Sequence, residues 1–143
     1  MIRSEKKLSG IIIRTRCRSC RFVVIRSIGD QALFGADTNS MKRRLDVPAN
    51  RPLADFLSTL AIKAKDFATE LTSHNVLDKD LRGINAIGGE HVASNKAVRN
   101  SMLQRGIKPE ELPPGEDVKK IERRLKSDVK QVKQGVRRLR PKK

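Results

Sequence analysis

The chain has 143 residues, 37% of them hydrophobic and 3% aromatic, with four Phe and neither Trp nor Tyr. That is enough for one small, aliphatic core plus tails, and too little for a large multi-domain enzyme. The formal charge is +16, and it is unevenly placed. Residues 1–28 hold eight Lys/Arg against one acid and residues 116–143 hold twelve against four, whereas 29–115 hold twelve against eleven. A near-neutral middle between two basic ends points to a polyanionic partner. No apolar run approaches the roughly 18 residues of a membrane span, and Ile11–Ile13 is too short for a signal-peptide core. The expectation is a cytoplasmic chain in a reducing environment, without a structural disulfide.

At the N-terminus, Ile11–Ile13 and Phe22–Ile25 are two β-branched runs around a polar, arginine-rich stretch, "RTRCRSC". Propensity there predicts a weak hairpin or disorder over residues 1–28. Cys17 and Cys20 form a C-x-x-C, but the only other soft ligands, His74 and His91, lie too far along the chain for a compact zinc module. No βαβ pattern follows to make the pair a redox motif. No metal and no cofactor is expected.

Gly29 and Gly35 bracket a short helical piece that buries Leu33 and Phe34, and Thr38 caps a second short helix ending before Pro48. The clearest helix lies within residues 50–76, with Asn50 as cap and Pro52 in its first turn. Leu53, Phe56, Leu57, Leu60, Ala64, Phe67, Ala68 and Leu71 recur at threes and fours, so this stripe is read as the main packing face. The stretch "LDKDLRGINAIGGE" reads as a loop closed by Gly88-Gly89, followed by a helix from Glu90 to Arg105 with Gly106 as its left-handed cap. A single turn is expected at Pro109–Leu112.

The last helix begins near Gly115 and ends at Gly135, leaving 135–143 as a basic tail after a helical domain over 29–134. Val118, Ile121, Leu125, Val129 and Val132 form one stripe, and Lys119, Arg123, Lys126, Lys130 and Lys133 form the next. With Lys120, Arg124, Arg137, Arg138 and Arg140 they are the candidate nucleic-acid-binding residues, acting by phosphate neutralisation. No aromatic platform for base stacking is interleaved. No nucleophile elbow, P-loop or convergent acid and His cluster is visible, so a catalytic role and a small-molecule substrate are not expected.

The segments "IRSIGDQALFGA", "RRLDVPANRPLADFL", "IKAKDFATELTSHNV" and "EHVASNKAVRNSMLQRGIKPEELPPGEDVKKIERRLKS" together resemble the C-terminal half of the bacterial DNA damage-inducible protein D (DinD) family, from Ile25 to Ser127. The elements read above make an all-α domain of four or five helices, and the resemblance implies a helical C-terminal region in a cytoplasmic, nucleoid-associated protein of the SOS response. It also implies an accessory, non-enzymatic role that modulates the RecA recombinase filament, and it brings no catalytic residues. The family's N-terminal BRO-N-like domain has no counterpart here, which raises the alternatives of a pure protein-binding module or an inactive truncated remnant. Residues 11–24 depart from the family, which there carries an acidic, Gly-containing connector. Matching flanks around such a segment are what two compensating frameshifts leave. Finding that connector in neither alternative frame of the coding sequence overturns this reading.

Overall fold

A computed structural model describes residues 2–14 and 20–138, with side chains described for 3–13 and 22–133. The described residues are mostly helical, with no strand among them. Six α-helices follow in order: α1 Ile2–Arg14, α2 Cys20–Phe34, α3 Thr38–Arg44, α4 Thr59–Asp78, α5 Ile84–Gln104 and α6 Val118–Arg138. Two 3-10 turns, Leu53–Phe56 and Pro109–Glu111, bend the chain before α4 and before α6.

The expected hairpin is replaced by α1 and α2. Ser4, Leu8 and Ile12 recur every four residues and are all buried, so α1 lays one face on α4. Packing of that face outweighs the β preference of the isoleucines, because propensity is worth less than burial. Ile25 is buried in α2 and joins Leu8, Ile12, Val76 and Ile87 in one of two core clusters. The N-terminal basic segment is therefore part of the packed body over its described residues.

The second cluster gathers Leu33, Phe34, Met41, Leu53, Leu57, Ala61, Ala68, Val98 and Met102. Leu33 and Phe34 are buried as expected, although the helix holding them starts at Cys20 and passes through Gly29. Gly35, at φ +69°, ends it. The cap of α3 is Asp37, whose carboxylate accepts from the Ser40 amide at 2.8 Å, and Thr38 is the first helical residue instead.

The long helix does not start after Asn50 but at Thr59. The Phe56 carbonyl accepts from the Gly115 amide at 2.8 Å, which removes it from any helical bond with residue 60. Leu57 and Ser58 are then extended, and Ser58 caps α4 by accepting from the Ala61 amide. The face turned inward is small and polar: Ala61, Ala64, Ala68, Thr69, Thr72 and Ser73. Leu60 and Phe67 of the expected packing stripe remain 45% and 62% exposed.

α5 begins at Ile84, a turn and a half before its expected start, with Gly88 and Gly89 inside it. Gly88 is tolerated because its bare Cα lies under Ile28 of α2, where a Cβ would meet that side chain at 3.3 Å. The C-terminus matches expectation. Gly106 at φ +75° and the bonds from the Gly106 amide to Leu103 O and the Ile107 amide to Met102 O make a Schellman cap.

α2 and α5 cross at Gly29. A Cβ there would fall 2.3 Å from Nε2 of His91, whose ring is itself buried and bonded to Thr72. Gly29→Ala should therefore destabilise the fold by about 1–3 kcal/mol, although helix propensity alone favours alanine by about 0.5–1 kcal/mol. Urea denaturation measures the sign directly, and a stabilised variant contradicts the close crossing.

Candidate nucleic-acid interface

The root of α6 is built from three connections. The Asp117 carboxylate accepts from the Lys119 amide at 2.9 Å and its carbonyl accepts from Lys120 and Ile121, so it serves as the N-cap. The Arg51 guanidinium donates to Asp117 at 2.7 Å and to Asp55 at 2.8 Å while lying 5.1 Å over the Phe56 ring. The bond from Gly115 to Phe56 O completes the anchor. Hydrogen bonding and charge from Arg51 hold the Asp117 carboxyl below the usual carboxylate range.

Beyond that root α6 leaves the body. Every described residue from Glu122 to Lys133 is exposed. Leu125, Val129 and Val132 are 57%, 52% and 66% exposed, so the apolar stripe has no partner helix among the described residues. The charged stripe is equally open. Lys119, Lys126, Lys130 and Lys133 hold no ion pair among the described residues, Arg123 donates to the Lys119 carbonyl, and Arg124 reaches Glu116 at 2.8 Å. At about 1.5 Å of rise per residue, the span from Lys119 to Lys133 is about 21 Å. That covers roughly six phosphate steps of one strand at about 3.4 Å each.

Of the remaining candidates, Lys120 is exposed in the first turn. Arg137 and Arg138 lie on the last turn of α6, where only the backbone is described. Arg140 and Cys17 lie outside the described residues. Gly135 does not end the helix, because a glycine costs only about 1 kcal/mol relative to alanine in a helix and α6 continues to Arg138. The described residues contain no grouping of His, Cys, Asp and Glu able to hold a metal ion, and no described helix is long and apolar enough to cross a membrane.

The cations of the body contrast with those of α6. Arg99 is bidentate to Glu110 at 2.7 and 2.8 Å, Arg26 donates to Glu5, and Lys7 donates to Glu70. Lys65 is buried against Asp30 at 2.5 Å. Beside that pair His91 bonds Thr72 Oγ1 at 2.9 Å. Burial, and then the nearby Lys65 charge, lower the His91 pKa to about 4 against an opposing pull from Asp30. No linear signal marks this polar core, since its partners lie 19 and 35 residues apart.

Compared with known family models, curated proteins and solved structures, the chain finds no match. The interface therefore rests on its own geometry.

Two outcomes follow from that geometry. Arg51→Ala should speed amide exchange at Lys120 and Ile121 while leaving the α5 amides unchanged. Equal loosening of α5 contradicts a purely local anchor. His91 is neutral in the fold below the pH at which it protonates in the unfolded chain, so the unfolded state binds the extra proton and stability falls as pH drops from about 6.5 towards about 4. The loss is about 3 kcal/mol. His91→Gln should flatten that part of a stability-versus-pH curve, and an unchanged slope refutes the assignment.

Proposed function

We propose that the chain is an accessory, non-enzymatic nucleic-acid-contacting protein that uses α6 as a phosphate clamp. The observation that carries this reading is a helix held, among the described residues, only at its root, with Lys119, Arg123, Lys126, Lys130 and Lys133 open along one side. Cations arranged this way release counterions from a phosphate backbone without reading sequence. The resemblance of residues 25–127 to the DinD family supports placing this activity in the bacterial DNA-damage response, on a nucleoprotein such as a RecA-type filament.

A second reading has its own support. The exposed stripe of Leu125, Val129 and Val132, continued by half-buried Ile121, is not used by phosphates, and it fits a protein groove with acidic walls. On that reading α6 binds an acidic partner and DNA contact is incidental. The inactive remnant remains the reading if α6 meets neither.

Fluorescence anisotropy with labelled single- and double-stranded DNA, across a series of salt concentrations, tests the proposal. Binding should weaken steeply with salt. Changing the five stripe cations to Gln should reduce the slope of log K against log salt by about 0.9 for each duplex contact removed. An unchanged slope rules out α6 as the clamp, and absence of DNA binding alongside capture by a recombinase filament favours the protein partner.

A further inference from the structure

A cavity of about 250 Å³ lies between α2, α3, the Leu53–Phe56 turn and α4, away from the open stripe of α6. Its polar lining is Arg26, Ser27, Asp30, Thr38, Asn39, Lys42 and Lys65. Three of these are cations and one is an acid. The acid is already satisfied: one Asp30 oxygen accepts from Lys65 Nζ and the other from Thr38 Oγ1, each at 2.5 Å. A carboxylate engaged on both oxygens, in a lining rich in positive charge, is a poor cation ligand.

Lys65 is in the opposite condition. Its side chain is 8% exposed, and an ammonium carries three donors. Only Asp30 accepts from it among the described residues. Buried donors without acceptors are costly, more so when charged. Around it, Lys42 reaches only the Ala49 carbonyl at 3.2 Å, and the Ser27 hydroxyl and Asn39 amide have no protein partner among the described residues. Arg26 is shared with Glu5 at 2.8 Å. The space is smaller than the roughly 300–1,000 Å³ of drug-sized ligand sites, which restricts the occupant to a small group.

We propose that this cavity is a binding site for a phosphate-class oxyanion. The Lys65 ammonium forms its floor, Lys42 supplies rim charge, and Ser27 and Asn39 contribute neutral hydrogen bonds. This site is independent of the α6 clamp. The phosphate can be free or can be carried by a nucleic-acid end or backbone.

The test is a heteronuclear NMR titration of the full chain with inorganic phosphate, at constant ionic strength set with chloride. Saturable shifts of the Ser27 and Asn39 amides are expected. Lys65→Met leaves Asp30 buried and unpaired, so Lys42→Gln at the rim is the informative variant, and it should weaken phosphate binding by at least about tenfold. A parallel titration uses an oligonucleotide with and without a 5′-phosphate. Shifts at the same amides only with the phosphorylated form assign a terminal phosphate, shifts with both forms assign the backbone, and shifts with inorganic phosphate alone assign the free ion. Non-saturating shifts with every probe, or equal affinity in Lys42→Gln, overturn the proposal.

Discussion

The close approach of α2 and α4 to α5 sets the rest of the structure. Gly29 gives α2 no side chain where His91 stands, Gly88 gives α5 none where Ile28 stands, and Ala61, Ala64 and Ala68 thin the inner face of α4. Helices this close bury polar groups between them, and most such groups find a bond, the Ser94 hydroxyl of α5 being an exception. Hence Thr72 meets His91, Asn95 donates to the His91 carbonyl, and Lys65 meets Asp30. A tight centre of small residues also has no room for large ones. Leu60 and Phe67 lie off that inner face and are turned outward.

Charge follows the same division. In the body, the ion pairs of Arg26, Lys65 and Arg99 join different helices or a helix and a turn, so much of the positive charge is matched locally. Arg99 also donates to the Leu33 carbonyl at the end of α2, which ties α5, α2 and the Pro109–Glu111 turn at one point. Among the described residues, α6 has no comparable matching beyond Glu116–Arg124. The surplus of positive charge at the C-terminal end is thus displayed on an element that contributes little to the fold, where it is free to meet a partner.

The sequence was legible where local chemistry decided the outcome. The all-helical class, the Gly106 cap, the turn at Pro109 and the two stripes of α6 all depend on neighbours within one or two turns. It misled where distant contacts decided. The isoleucines of α1 read as strand because the face of α4 that buries Leu8 and Ile12 is some sixty residues away, the separation at which Ser4 and Lys7 bond Asp66 and Glu70. Asn50 read as the cap of the long helix because nothing local shows that Gly115 takes the Phe56 carbonyl. Gly88-Gly89 read as a stop because a glycine chosen for helix contact looks, in one dimension, like a glycine chosen to break a helix. Likewise, the α6 cations could be listed from sequence, but their freedom could not. It depends on α6 not pairing with α4.

The two faces of α6 constrain what can cover it. Residues 118–138 carry nine Lys/Arg against two acids, so pairing of two such helices along Ile121, Leu125 and Val132 brings like charges together along their length. Salt or a polyanion screens that repulsion, but phosphates alone leave the apolar stripe in water. An acidic protein groove covers the stripe and matches the charge at once, and a nucleoprotein filament offers both phosphates and protein surface. If α6 acts as proposed, such a composite partner would cover both of its stripes, which naked DNA would not. The salt dependence would then come from the lysine stripe and the residual affinity at high salt from the aliphatic one.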